Sequence, residues 1–196
     1  MKISPIVAAA IAVLLLAGCG KAEAPGETAT VAGDETAAAD ARSAMAAGGT
    51  IADNLRASPN HRSLAAAVTQ AGLAPTLGGA GPFTFFAPTD AAFIQVPPVT
   101  RDGWMRPAQQ AVLAGVVNYH VIPGRLTAAD LAAKIAEGGG RAVLTTASGQ
   151  ELTATKGGDA ILLTSSSGNK AMVTAGDVDQ SNGVIHVIDA VLIPKM

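Results

Sequence analysis

Hydrophobic residues recur along this chain in three rhythms, and each predicts a different kind of structure. From Ile6 to Ala17 they are nearly unbroken. About a dozen apolar residues after Met1-Lys2 are too few to span a bilayer and suit the core of an export signal. From Gly20 to about Ala46 large apolar residues almost vanish. Such a segment cannot bury enough surface to offset its chain entropy, so a disordered spacer is expected there.

Helical spacing then takes over. Thr50 to Ala57 and Ser63 to Ala71 predict two short helices broken by Ser58-Pro59-Asn60. Leu64, Ala67, Val68 and Ala71 share a face, and Gly72 suits the C′ position. His61 falls in the polar turn between them and is expected to face solvent. Phe83 to Ala87 predicts a short strand that Pro88 ends. Thr89 then caps a helix carrying Asp90 in its first turn and Phe93 on its inner side. Val96-Pro97-Pro98 predicts the start of a loop containing Trp104. Pro107 suits the first turn of a helix whose stripe, Val112, Leu113, Val116 and Val117, runs into Tyr119-His120. Thr127 and Asp130 have the spacing of a capping box for a helix ending near Gly138.

After Arg141 the period changes to two. Ala142–Thr146, Glu151–Thr155, Ile161–Thr164 and Ala171–Thr174 predict strands of an antiparallel meander, with turns at Ser148-Gly149, Gly157-Gly158 and Ser167-Gly168-Asn169. A last strand follows the Asn182-Gly183 turn and runs to Pro194. Alternation puts Val184, His186 and Ile188 on one face, and Ile185 and Val187 on the other. Both faces are apolar apart from the histidine, so burial on both sides is expected. A helical block followed by a β block means an α+β fold.

Composition sharpens this picture in three places. Aromatic residues are only 3% of the 196, and all four phenylalanines fall between Phe83 and Phe93. The centre of the core is therefore expected at that segment. Five acids (Glu23, Glu27, Asp34, Glu35 and Asp40) face two bases (Lys21 and Arg42) in residues 21–46, which leaves the rest close to neutral. With no basic stripe to neutralise phosphates, nucleic-acid binding is not expected. Cys19 is the one cysteine, so no disulfide is available. It closes Leu16-Ala17-Gly18-Cys19, which resembles the bacterial lipobox. That resemblance implies cleavage before Cys19 and acylation of its thiol. The alternative is an ordinary signal peptide with an incidental cysteine. Two or more acyl chains hold a protein stably at a membrane where one does not. The expected organisation is a lipoprotein signal peptide over residues 1–18, a lipidated cysteine and spacer over 19–46, and a folded domain over 47–196. The place is the bacterial cell envelope, at the periplasmic or outer-membrane face.

Three segments carry a family resemblance. Phe83-Thr84-Phe85-Phe86-Ala87-Pro88-Thr89-Asp90-Ala91-Ala92-Phe93, the Tyr119-His120 pair, and Asn182-Gly183-Val184-Ile185-His186-Val187-Ile188-Asp189-Ala190-Val191-Leu192-Ile193-Pro194 resemble, in this order, the signatures of fasciclin (FAS1) domains. The resemblance implies a wedge of twisted antiparallel β-sheets with several short helices packed on one side. It implies adhesion or contact with a protein or matrix partner, without enzymatic activity. Tyr119 and His120 become candidate partner-binding residues, against the alternative that both hold the core together. An integrin-type Asp-Ile motif is not preserved, since the chain reads Ala175-Gly176-Asp177-Val178. Some relatives carry carotenoids, so a small apolar ligand, a carotenoid or lipid, is the second expectation. Trp104, Met105 and the loop Val96–Val99 are the residues that would serve it.

Candidate chemistry is sparse. No phosphate loop, dinucleotide glycine pattern, Gly-x-Ser-x-Gly or His-Glu-x-x-His motif is present, and no cofactor is expected. His120, His186 and Asp189 would bind zinc or polarise a water if the fold joined them. Otherwise they are hydrogen-bonded core residues. No catalytic or metal-binding residue is expected.

Overall fold

A computed structural model describes residues 48–158 and 160–195. Cys19, the signal segment and the spacer lie outside the described residues. The predicted Phe-rich strand is β1 (Phe83–Pro88), and it sits between β2 (Val121–Pro123) and β7 (Gly183–Ile188). Beyond β7 the sheet continues through β6 (Lys170–Gln180), β5 (Ala160–Thr164) and β4 (Glu151–Gly157) to β3 (Arg141–Thr145). The antiparallel meander expected after Arg141 is there, from β3 to β7. One pair differs in direction: β1 and β7 run parallel, from Phe83 opposite Gly183 to Pro88 opposite Ile188. The sheet is strongly twisted, and β2 approaches β3 to bring it close to a barrel.

The centre is tight at the start of this pair. A Cβ on Gly183 would lie 2.0 Å from the Phe83 carbonyl oxygen, so only glycine fits. Asn182 does more than turn the chain. Its side chain accepts from the Ile51 amide at 3.0 Å and donates to the Leu77 and Gly79 carbonyls, both at 2.8 Å. It therefore pins the helical layer to the sheet.

Six helices supply that layer: α1 (Ile51–Ala57), α2 (Arg62–Gln70), α3 (Ala74–Leu77), α4 (Asp90–Gln95), α5 (Pro98–Trp104) and α6 (Gln110–Tyr119). They bury Leu55, Leu64, Val68, Phe93 and Val116 against Phe85, Ala87 and Ile185 on one face of β1 and β7. On the other face Phe86 and Ile188 meet the inner side of β3–β5 and a seventh helix, α7 (Ala128–Glu137). β7 is buried along its whole length, as its two apolar faces predict.

Local signals hold where chemistry is local. Helix α2 ends in a Schellman motif, with the Gly72 amide on the Thr69 carbonyl and the Leu73 amide on that of Val68. Thr127 and Asp130 form the expected capping box, and the hydrogen bonds from Thr127 hold the Asp130 carboxyl below its usual range. Four expectations change. Residues 98–104 are helical rather than a loop, because Pro98 occupies a first-turn position where its missing N–H costs nothing. The Asp90 carboxylate caps α2, accepting from the Arg62 and Ser63 amides at 3.2 and 2.7 Å, while Thr89 alone caps α4. Strand β6 reaches Gln180 through a bulge at Asp177, whose φ is 58°. Finally, β7 stops at Ile188, because the Asp189 carboxylate takes the Met172 amide at 2.7 Å in place of a ladder carbonyl.

Candidate functional site

Tyr119 closes α6 fully buried. Its hydroxyl donates to the Glu151 carbonyl at 2.7 Å and accepts from the Ser166 amide at 2.8 Å. Both hydrogen-bonding capacities are thus spent joining α6 to the meander. Replacing Tyr119 by Phe should cost about 1–3 kcal/mol, since two part-buried hydrogen bonds, to the Glu151 carbonyl and the Ser166 amide, are lost together. Urea unfolding would show this as a lower midpoint at unchanged slope, whereas a wild-type midpoint would deny the hydroxyl a structural role.

His120 lies beside it, also buried. Its Nε2 accepts from the Leu192 amide at 3.0 Å. That fixed donor leaves the proton on Nδ1, which donates to the Val116 carbonyl at 2.8 Å. Burial pushes the ring's pKa down to about 4, opposed by the Val116 hydrogen bond. Neither member of the pair presents a polar atom at the surface. Tyr119 ties helix α6 to the meander, and His120 ties it to the segment that follows β7.

His186 carries the opposite tautomer. Its Nε2 donates to the Leu126 carbonyl at 2.8 Å, and its Nδ1 accepts from the Asp177 amide at 3.4 Å. The ring stacks on Phe86 with centroids 5.6 Å apart. Burial lowers its pKa, and the Leu126 hydrogen bond and the Asp177 charge oppose the shift. Phe86 stands between the two histidines: its amide donates to the His120 carbonyl at 2.9 Å, and His186 is its register partner on β7. Both rings are turned onto backbone groups, and Asp189 is occupied with Met172. Among the described residues no three metal-ligating side chains cluster.

The third histidine corrects the sequence reading. His61 is fully buried, with Nδ1 2.8 Å from the Ser58 hydroxyl and Nε2 without a hydrogen-bond partner. Burial holds its pKa at about 4, with the nearby Asp90 charge pulling the other way. Its neighbours in sequence are polar, but docking of α4 through Asp90 covers the turn.

The surface offers a different candidate. Of the five large hydrophobic residues exposed among the described ones, three are Ile94, Val99 and Met105, exposed by 73%, 87% and 40%. They lie on and just after α4 and α5. Beside them a cavity of about 240 Å³ is lined by Phe93, Trp104, Met105 and Leu113, with the Arg101–Asp102 pair at its edge. Trp104, Met105 and Val99 belong to the segment singled out from the sequence. Ile94 does not, although its place after Phe93 signals it: Phe93 faces the core, and the next residue on a helix points about 100° away from it.

The chain matches the Fasciclin domain family over residues 59–194. It is 38% identical over 133 residues to protein sll1483 of Synechocystis, covering 68% of this chain and 67% of that one. It is 30% identical over 122 residues to the cell surface glycolipoprotein MPB83 of Mycobacterium bovis, covering 62% and 48%. Among solved structures, a FAS1 domain pair from the insect cell adhesion molecule fasciclin I superposes with a TM-score of 0.65 at 19% identity. The superposition covers 74% of this chain and 51% of that one. On the sequence match, the fold and the three signatures together, the chain belongs to the fasciclin (FAS1) domain family.

Proposed function

We propose that this protein is a non-enzymatic FAS1 module, tethered to the bacterial envelope through an acylated Cys19, that makes adhesive or protein–matrix contacts. The observation that carries the reading is that Ile94, Val99 and Met105, three of the five large hydrophobic residues exposed among the described ones, fall within one short stretch of chain. Clustered apolar exposure of this kind marks interaction sites. Membership of a family that includes an insect adhesion molecule and a surface glycolipoprotein supports it. Partner contact is placed on this segment because Tyr119 and His120 are committed inside.

The test joins genetics to a surface variant. Cells carrying Ile94→Asp together with Val99→Asp should attach to surfaces and to one another as poorly as cells lacking the gene. The variant protein should still melt like the wild type, because exposed substitutions cost little. Cys19→Ala should release the protein from the membrane fraction. Attachment that survives deletion of the gene would sink the reading.

The Trp104 cavity favours a second reading, that of a carrier for a small apolar molecule. At about 240 Å³ the cavity falls below the usual range for a complete ligand, roughly 300–1,000 Å³. One ring of a carotenoid or the end of a lipid would enter it, with the rest lying along Ile94 and Val99. Native mass spectrometry of the protein from its own cells decides this, by the presence or absence of solvent-extractable mass.

A further inference from the structure

A larger cleft opens on the other side of the sheet, where β5 and β6 part. The register between them covers only three pairs and ends at Leu162 opposite Met172. Beyond that point β6 pairs with β7 alone. The bulge explains the departure. Asp177, in its left-handed conformation, accepts from the Ala128 amide at 2.7 Å and so draws β6 onto the first turn of α7. Behind it the strands diverge.

Helix α7 does not fill the space left. Leu131 and Ile135 are buried in the core, with Ile135 also flooring the gap, and the other residues turned to it are Ala128 and Ala132, four apart on one face. The result is a cleft of about 420 Å³, within the range of small-molecule sites. Its walls are Ile161 and Val173, each half-buried. Lys156 stands at its end. Alternation along β4 puts Leu152, Ala154 and Lys156 on the inner face. The first two are completely buried and the third is exposed, so the core gives way to a cation where the cleft meets water. Among the described residues no carboxylate side chain lines the cleft.

We propose that this cleft binds a single-chain amphiphile with an anionic head, a medium-chain fatty carboxylate, with its tail between α7 and the parted strands and its carboxylate on the Lys156 ammonium. An apolar slot selects an alkyl chain, and one cation at its mouth selects a negative head. Neither feature suits a peptide, whose backbone would need hydrogen-bond partners along the slot. The site is separate from the segment around Trp104.

The experiment titrates the full chain carrying Cys19→Ala, so that no covalent acyl group competes, with dodecanoate and separately with dodecanol. Binding is followed by calorimetry, and Trp104 fluorescence is read in parallel. Dodecanoate should bind saturably at one site. Ala132→Phe, which fills the slot from an exposed helix position, should weaken it by about a hundredfold, as expected for displacing several methylenes. Lys156→Gln should weaken dodecanoate by about fivefold, the worth of a solvent-exposed ion pair, and leave dodecanol unchanged. If Ala132→Phe fails to fold, Ala132→Leu and the Lys156→Gln comparison decide. Absence of saturable binding would overturn the proposal. So would binding that quenches Trp104 and ignores both substitutions, which would place the alkyl chain in the carrier cavity instead.

Discussion

Acidification from pH 7 to 4 is expected to strip the domain of much of its stability through its buried histidines. His61 and His120 are buried and neutral, and burial pulls both from the ordinary 6.5 down to about 4. In the unfolded chain they take up protons near pH 6.5. Between pH 6.5 and 4 the unfolded state therefore binds more protons than the folded one, and stability falls with pH. At about 1.4 kcal/mol per pKa unit, each histidine removes about 3 kcal/mol across this window. His186 shifts in the same direction. The combined loss is comparable with the lower end of the roughly 5–15 kcal/mol by which a domain is usually stable. Asp53 and Asp130 are held below 3.8, chiefly by hydrogen bonds from Thr50 and Thr127, so their contributions disappear only at lower pH. Urea midpoints measured at steps from pH 7.5 to 4 should fall steadily, with a shallower slope in His61→Gln. A flat profile over that range would show that the histidines are not held neutral.

The second large effect is expected at Phe86. Its ring is fully buried on the meander side of β1 and is stacked against His186. Phe86→Ala should cost about 3–5 kcal/mol, from lost transfer energy and the cavity left behind. Phe86→Leu, which keeps most of the apolar contact, should cost far less. Thermal unfolding of the pair would separate the two. Equal and small losses would mean that the core collapses around the missing ring, and that this strand is not its centre.

What the sequence made legible depended on how local each cause was. Thr127 with Asp130, Gly72 and Thr89 act within one turn of their own chain, and each could be read without the fold. The β7 pattern was as informative, because two apolar faces admit only a buried strand. The Phe cluster marked the centre of the core correctly. What escaped was decided by residues distant in sequence. His61 looked exposed because Asn60, Arg62 and Ser63 surround it, yet Asp90, 28 residues on from Arg62, docks there and covers it. Asp189 looked like one more strand position, but its carboxylate takes over from the ladder. Tyr119 and His120 were legible as a pair and not as partners of Glu151, Ser166, Val116 and Leu192. The cleft beside α7 could not be read at all, since it exists only because β6 leaves β5.

The parallel pairing of β1 with β7 also sets the order of events in folding. Phe83 and Gly183 are neighbours in space and one hundred residues apart along the chain. All of α4 to α7 and strands β2 to β6 lie between them. Closing so long a loop is entropically slow, and contacts of this kind place a domain among the slower two-state folders. The helices and the hairpins from β3 to β5 can form from local contacts, but the sheet's middle stays open until β7 arrives. A nascent chain therefore leaves the ribosome without a finished core. Its Phe cluster is free for a holding chaperone during that interval, and committed folding begins only once β7 has emerged.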